Sequence, residues 1–237
     1  MKTANKKLLE VLINIVNNRI QGIEYVAQVD QERAYGGIIR SAKGKLLEEL
    51  CKELVTIAWD ELGGERSRLS FSNKRIDIPL RKEYLGKIES NEVKQWINEN
   101  YSDFVFKAQV DNHTMIDDKF VLGIECKAYT ENAMLKRILV DFTLLKSVYK
   151  DLKCALLQFE SQLTGDYSEI DKPVILGSHS SHTLMSHFDI DLHIMTLIKG
   201  ERKVDEPIHK VEYFKPVTVD AAIKCIEQIK LLLAEFK

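Results

Sequence analysis

Two segments decide the fold, FVFKAQVD at Phe104–Asp111 and FVLGIECK at Phe120–Lys127. Apolar residues recur at every second position in both, which is typical of β-strands because successive side chains point to opposite faces. The polar segment Asp117–Lys119 lies between them, and Asp residues favour turns by bonding their own backbone. The sequence therefore predicts a β-hairpin. Phe104, Phe106, Ala108 and Val110 are expected on one apolar side, and Phe120, Leu122, Ile124 and Cys126 on the other strand's apolar side.

This hairpin is predicted to bring two carboxylates together. If the turn is the three residues Asp117–Lys119, Ile116 faces Phe120 and Asp111 lies directly across from Glu125. Opposed residues of antiparallel strands have Cβ atoms about 4.5–5.5 Å apart. Two carboxylates at that distance repel each other, and a divalent cation between them is the simplest explanation for their coexistence.

The predicted pair suits the hydrolysis of phosphodiesters. Carboxylate oxygens are hard ligands for Mg²⁺, which also binds phosphate oxygens. The metal stabilises the charge that develops on the phosphate and activates water, while a nearby ammonium orients the water or stabilises the same charge. Lys127, on the same face as Glu125, supplies that ammonium.

The spacing Asp111-x13-Glu125-Cys-Lys127 resembles the PD-(D/E)xK nuclease superfamily, in the form D…ExK without the proline. The resemblance covers about 17 residues strictly, and about 110 residues, from Arg40 to Tyr149, when flanking helices are included. It implies a restriction-endonuclease-like core of the α/β (α+β) class, with a central mixed β-sheet flanked by helices. It also implies that Asp111 and Glu125 bind the metal and that Lys127 acts on the attacking water.

Members of that superfamily often add a third acidic residue from a helix that precedes the sheet. Glu48, in the segment Gly44–Glu49, fits that position and is expected to support the metal site. The alternative is that Glu48 is a solvated residue that pairs with Lys45 or Lys52 along its helix.

Type II restriction endonucleases often read DNA from the helix that follows the ExK strand. Asn132, Lys136 and Arg137 occupy that segment here. Asn pairs with adenine and Arg with guanine in the major groove. The alternative is a charged, solvated face without a ligand.

A second basic cluster, Arg40, Lys43 and Lys45, follows the flexible pair Gly36-Gly37. Such a cluster could grip DNA phosphates. The alternative is an ordinary basic surface.

Other motifs give weaker alternatives. Asp77 could replace Asp111 as the first acid, but Pro79 favours a loop there. His179, His182 and Asp189 are a conceivable zinc set, although their spacing matches no standard zinc pattern, and Ser178–Ser186 is predicted to be a loop. The sequence contains neither a GxSxG elbow nor a glycine-rich phosphate loop.

The remaining pattern indicates a single nuclease domain over residues 1–237, with a helical part at about 1–62 and a strand and helix part at about 174–237. The predicted helices are Lys6–Ile20, Ile39–Leu62, Val93–Ile97, a helix capped by Thr130 that continues to Tyr149, and one capped by Thr218 that reaches Leu233. The other predicted strands are Arg68–Phe71, Cys154–Phe159, Val174–Leu176 and Leu192–Ile198.

Composition narrows the possible classes of protein. With 34 Lys+Arg and 36 Asp+Glu, the net charge of −2 excludes DNA binding through bulk charge alone. Mean hydropathy is −0.20, and the sequence has no apolar run of the roughly 20 residues that a membrane helix needs. The four dispersed cysteines form no CxxC pair, so reduced thiols and the bacterial cytoplasm are expected.

Together these patterns predict a Mg²⁺-dependent type II restriction endonuclease that cuts double-stranded DNA at a specific palindromic site. A homodimer is expected, because its two-fold symmetry matches a palindrome and gives each strand its own active site. The alternatives are a structure-selective repair or recombination nuclease and a noncatalytic nucleic-acid-binding protein of the same fold.

Overall fold

The structure is a computed structural model that describes residues 1–29, 35–164 and 178–237. Within these residues the helices are α1 (Thr3–Val29), α2 (Tyr35–Leu62), α3 (Lys82–Leu85), α4 (Asn91–Glu99), α5 (Asn132–Val148), α6 (His179–Ser186) and α7 (Val219–Leu233). The strands are β1 (Leu69–Ser72), β2 (Ile76–Pro79), β3 (Val105–Ala108), β4 (Asn112–Ile116), β5 (Lys119–Thr130), β6 (Lys153–Ser161) and β7 (Leu192–Thr196).

In the described part of the chain, the main sheet has five strands in the order β1-β4-β5-β6-β7. β1, β4 and β5 pair antiparallel, whereas β5, β6 and β7 pair parallel, so the sheet is mixed. β2 and β3 form a separate antiparallel ribbon. Helices cover both faces of the main sheet, which confirms the predicted fold class.

Two hydrophobic cores enclose the central strands. On one face, α1, α2 and α7 bury apolar side chains against β5, β6 and β7. On the other face, α5 packs on the same strands and on the β2–β3 ribbon, with Phe142 fully buried. Parallel strands are usually covered on both faces in this way, so they contain near-continuous apolar runs. The cores therefore fix β5, the strand that carries Glu125 and Lys127, from both sides.

The predicted hairpin exists, but the predicted bounds of its first strand were wrong. Val105–Ala108 is β3, which pairs with β2, and a new strand begins at Asn112. The turn contains two residues, Asp117 and Asp118, with φ of +50° and +62°. Positive φ at both central residues is the geometry of the two-residue turns that match the twist of a hairpin.

A β-bulge then restores the register that the sequence suggested. Next to the turn, Ile116 pairs with Lys119 and Met115 with Phe120, one residue away from the predicted pairing. The register shifts between Thr114 and Met115, so that Asn112 pairs with Ile124. Two offsets therefore cancel, and Asp111 lies across from Glu125 as predicted.

The bulge also changes which side chains share a face. Phe120 packs in the α5 core, whereas Leu122, Ile124 and Cys126 pack in the α2 core, so the predicted common face of these four residues was wrong. A bulge places two residues opposite one, which moves the side chains before it to the other face. The predicted apolar face of the first strand was also wrong at Phe106, which is 56% exposed.

Several local predictions have clear outcomes. Thr218 caps α7 as predicted, because its side chain accepts a hydrogen bond from the Ala221 N–H. Thr130 does not cap α5: it is the last residue of β5, and the helix begins at Asn132. Ser178 instead caps helix α6, where a loop was predicted.

Two further predictions concern Pro79 and the segment Val174–Leu176. Pro79, taken as a sign of a loop, ends strand β2 in the outlying ribbon, where a missing N–H is tolerated. The predicted strand Val174–Leu176 lies outside the described residues. No helix in the described ranges is long and apolar enough to cross a membrane.

Gly123 on β5 offers a test of packing against α5. A Cβ at this position would lie 2.9 Å from the Phe142 ring, which is closer than buried carbon atoms approach. We expect Gly123→Ala to lower the free energy of unfolding by about 1–3 kcal/mol, measured by urea denaturation.

Gly22→Ala is the matched control, because Gly22 lies within α1 and a Cβ there meets no atom within 4 Å. Ala is favoured over Gly in a helix by about 1 kcal/mol, so this change is expected to stabilise the protein. Equal effects of the two substitutions would contradict the close packing of β5 on α5.

Candidate active site

Asp111, Glu125 and Lys127 meet where β5 leaves its pairing with β4. The Lys127 Nζ atom lies 3.2 Å from Asp111 Oδ2 and donates a short hydrogen bond to Glu125 Oε1. It also lies 3.3 Å from the Cys126 carbonyl oxygen. The structure therefore brings together the three residues that the sequence singled out.

Backbone groups hold the two carboxylates in place. The Cys126 N–H donates to Asp111 Oδ2 at 2.8 Å, and the Asp111 N–H donates to Glu125 Oε2 at 3.3 Å. Each carboxylate thus binds the backbone of the strand that carries the other. This reciprocal arrangement depends on the register between β4 and β5, because a shift of one residue would separate the two side chains.

The electrostatics of the site reflect two acids beside one base. Burial raises the pKa of Glu125, and the neighbouring Asp111 carboxylate raises it further, while Lys127 acts in the opposite direction. Burial alone would lower the pKa of Lys127, but Glu125 and Asp111 together outweigh it and raise that pKa. Lys127 is therefore held as an ammonium ion at neutral pH.

The donor set fits a hard divalent cation. Three oxygens, from the Asp111 and Glu125 carboxylates and the Cys126 carbonyl, converge on the Lys127 ammonium. Carboxylate and carbonyl oxygens are the protein ligands that Mg²⁺ prefers. With all three oxygens aimed at one positive charge, the arrangement is chemically suited to bind a metal cation.

Glu48 reaches the neighbourhood of this site from α2. Burial raises its pKa, Asp111 raises it further, and Lys127 opposes both effects. These influences place Glu48 within electrostatic range of the cluster. Across the described ranges, however, no three His, Cys, Asp or Glu side chains gather closely enough to hold one metal ion. Among the described residues, neither Glu48 with Asp111 and Glu125 nor His179, His182 and Asp189 form such a group.

A cavity of about 530 Å³ lies over the cluster. Its basic lining residues are Arg75, Lys107, Lys127 and Arg137. Arg137, whose side chain is 85% exposed, lies 3.6 Å from Asp141. Asp111, Glu125 and Asp141 also line the cavity, so four basic side chains face three acidic ones and the lining has a slight excess of positive charge.

The sequence missed three of the cavity residues. Arg75 and Lys107 approach the site only because the β2–β3 ribbon folds against α5, which no local pattern reveals. Asp141 could have been noticed as the residue four positions after Arg137 on one helix.

Asp77, the alternative first acid, lies on the ribbon and pairs with Lys107 at 2.7 Å. Both of these side chains are more than half exposed. Asp111 rather than Asp77 makes the contacts with Lys127 and with the backbone beside Glu125.

Asn132, expected to read adenine, is used inside the protein. Its Nδ2 donates to Ser180 Oγ at 3.0 Å, and its Oδ1 accepts from Ser181 Oγ at 2.6 Å. Both atoms that a base would need are thus engaged in holding α5 against α6. Lys136 is exposed on the same helix, as the sequence predicted.

The three residues of the predicted basic cluster on α2 differ in their exposure to solvent. Arg40 and Lys45 are exposed, but Lys43 is only 6% exposed, so its assignment to a basic surface was wrong. Burial lowers the pKa of Lys43, and the charge of the Glu160 carboxylate on β6 opposes this effect.

Comparison with known proteins identifies the relationship behind this geometry. The type II restriction enzyme DdeI of Desulfomicrobium norvegicum is 48% identical over 240 residues, which cover 99% of this chain and 100% of the relative. The chain belongs to the type II restriction enzymes. The resemblance inferred from Asp111, Glu125 and Lys127 is confirmed at the level of the family, and so is the assignment to the site-specific deoxyribonucleases.

Two other comparisons add less. A chain of the native BbvCI A2B2 tetramer is similar over 97% of this chain and 88% of its own length, with 11% identity and a TM-score of 0.37, which is too low to carry an argument. No protein-family profile matches the sequence. Type II restriction enzymes in general require a divalent metal ion, which agrees with the donor set described above.

Removal of Lys127 tests whether a metal ion can bind at the position of its ammonium group. In EDTA, Lys127→Ala is expected to lower the free energy of unfolding by about 1–3 kcal/mol, because two carboxylates then face each other in a partly buried site. Mg²⁺ should raise the thermal midpoint of the variant more than that of the wild type.

The control is Lys107→Ala, which removes the exposed partner of Asp77. Its midpoint should respond to Mg²⁺ as the wild type does. If Mg²⁺ stabilises neither the wild type nor Lys127→Ala, the three converging oxygens do not form a metal site.

Proposed function

We propose that this restriction enzyme is a Mg²⁺-dependent homodimer that hydrolyses both strands of double-stranded DNA at a specific palindromic site. One observation carries the proposal: the oxygens of Asp111, Glu125 and Cys126 converge on a cation position beneath a basic cavity. The 48% identity to a type II restriction enzyme supports the same activity.

We assign the metal-binding role to Asp111, Glu125 and the Cys126 carbonyl. When bound, Mg²⁺ would stabilise negative charge on the scissile phosphate and favour deprotonation of the attacking water. Glu48 would support the site through its charge: burial raises its pKa, and the nearby Asp111 carboxylate raises it further.

The proposed role of Lys127 is that of a hydrogen-bond donor. The Glu125 and Asp111 carboxylates together outweigh burial and raise the pKa of Lys127, which favours its ammonium form. It can donate hydrogen bonds, so its proposed role is to orient the attacking water and to stabilise charge on the phosphate. Preorganised donors of this kind commonly contribute about 10²–10³-fold to a rate.

The basic residues around the cavity would position the DNA backbone. Arg137 and Arg75, which line the cavity, are proposed phosphate contacts near the cut. Lys136 on α5 and Arg40 on α2 are exposed outside its lining and are further proposed contacts. Asn132 would contribute indirectly, by holding α5 against α6.

The proposed assembly follows from the substrate. Each chain carries one cluster of Asp111, Glu125 and Lys127, whereas a duplex has two strands to cut. Two copies related by a two-fold axis would match a palindrome and place one cluster at each strand. The proposed location is the bacterial cytoplasm, which agrees with four buried free cysteines.

Cleavage of a long duplex of mixed sequence tests the activity. The wild type with Mg²⁺ is expected to give discrete fragments, and EDTA should abolish them. Lys127→Ala should reduce the rate by about 10²-fold or more, because the donor to the phosphate and water is lost. Rates are measured from the fragments on gels.

Lys230→Ala is the control, since Lys230 lies on α7 and pairs with Glu227 away from the cavity. It should cut as the wild type does. Cleavage of branched DNA alone would instead favour a structure-selective nuclease, and binding without cleavage in any divalent metal would favour a noncatalytic protein.

The salt dependence of DNA binding tests Arg137. If Arg137 neutralises one phosphate, Arg137→Ala should weaken binding and reduce the slope of log K against log salt by about 0.9. The measurement uses a titration in Ca²⁺, so that the duplex remains intact. Arg66→Ala provides the comparison, because Arg66 pairs with Asp60 and does not line the cavity; an unchanged slope for Arg137→Ala would exclude the contact.

A further inference from the structure

A second cavity, of about 290 Å³, lies beyond Lys127 at the carboxyl ends of β5 and β6. Tyr129 on β5 and Glu160 on β6 both line it, and these two residues pair in the parallel register. Tyr129 follows Lys127 by two residues, which corresponds to about 7 Å along a strand. The cavity therefore begins two residues along β5 from Lys127.

This cavity contains charged groups that are removed from water. Lys43 is 6% exposed and Glu160 is 2% exposed. Burial raises the pKa of Glu160, whereas Lys43, Lys215 and Arg202 act in the opposite direction. Within the residues that the structure describes, the Glu160 Oε1 atom has no hydrogen-bond partner. A buried acceptor in this state is costly unless water or a ligand supplies a donor, so Glu160 can receive an N–H group from a ligand that enters the cavity.

A flat surface lies beside these charges. The guanidinium carbon of Arg202 is 3.8 Å from the centre of the Tyr129 ring. The Arg202 Nη1 atom donates to Gln162 Oε1, and its backbone N–H donates to the Ser161 carbonyl, which holds the guanidinium in place. Unstacked nucleobases bind to such surfaces, because they stack on aromatic rings and on the planes of Arg guanidinium groups.

The buried end of the cavity suits a base. Arg40, Arg202 and Lys210 also line the cavity and would attract the phosphate of the same nucleotide, whereas Glu160, the acid among the described lining residues, would repel a phosphate placed against it. A base with an exocyclic amine offers an N–H donor to Glu160 and, next to it, an acceptor for the Lys43 ammonium. Adenine, cytosine and guanine have this combination, whereas thymine has no exocyclic amine.

We propose that this cavity, the Lys43–Glu160 pocket, receives one amino-bearing nucleobase that is turned out of the duplex beside the cut. The proposal rests on the proposed function and extends it to a substrate subsite. Extrusion of a base costs unpairing and unstacking energy, which the stack on Arg202 and the two buried charges would offset.

The first experiment uses 2-aminopurine, an amino-bearing base whose fluorescence increases when it leaves the stack. After the cut site is mapped, 2-aminopurine replaces each base within three positions of the cut in turn, and binding is followed in Ca²⁺. We expect a several-fold increase in emission at one position. A mismatch opposite that position should tighten binding by about tenfold, since the cost of unpairing is then already met.

The double substitution Lys43→Met with Glu160→Leu tests whether the pocket receives the base. Both charges are replaced together, so that neither is left buried without its counterpart. The increase in emission and the advantage of the mismatch should both be lost, while the thermal midpoint confirms folding. If the double variant does not fold, Tyr129→Leu, which removes the stacked ring, should lose the same two signals.

Arg68→Met with Asp117→Asn is the matched control. This change also removes an ion pair, but at the β4–β5 turn, at the other end of the strand. Its emission and mismatch responses should equal those of the wild type.

Three outcomes would overturn the proposal. Cleavage without increased emission at any position would exclude base extrusion and leave the proposed function intact. Increased emission that persists in the folded double variant would assign the base to another site. A wild type that neither binds nor cuts DNA would overturn the proposed function together with the pocket.

Discussion

The repulsion between the Asp111 and Glu125 carboxylates is the constraint on which the site depends. The pairing of β4 with β5 forces the two groups together, and backbone N–H groups from each strand hold the carboxylate of the other. The Lys127 ammonium balances only part of their charge, which is why the site is suited to a further cation. The two hydrophobic cores keep this strained set of charges in register, since they clamp β5 on both faces.

The total charge of the chain and the charge near the site differ. The chain has a net charge of −2, whereas the cavity over Glu125 is lined by four basic and three acidic side chains. A polyanion responds to such local charge rather than to the total charge of the chain. Beyond Lys127, at the carboxyl ends of β5 and β6, Lys43 and Glu160 are both buried. The charged side chains near β5 therefore range from exposed, at Arg137, to buried, at Glu160.

The β4–β5 hairpin shows how a correct pairing of two residues can follow from partly wrong structural detail. Assuming a three-residue turn and an unbroken strand placed Asp111 opposite Glu125, and the real two-residue turn with a bulge leads to the same pairing. The result survives because both descriptions must bury Leu122, Ile124 and Cys126 on one face, which leaves Glu125 and Lys127 on the other. Phe120, which lies before the bulge, was accordingly assigned to the wrong face.

The sequence by itself determined the features that depend on neighbouring residues. Alternation along β5, helical spacing in α1, α2, α5 and α7, the Thr218 cap and the Glu-Cys-Lys motif are all local, because one strand or one turn of helix is enough to produce them. Only the tertiary structure decided that β3 pairs with β2, that serines of α6 occupy the Asn132 amide, and that Lys43 is buried beside Glu160. Each of these depends on contacts between residues far apart in the chain. A local sequence pattern contains no information about which distant residue will pack against it.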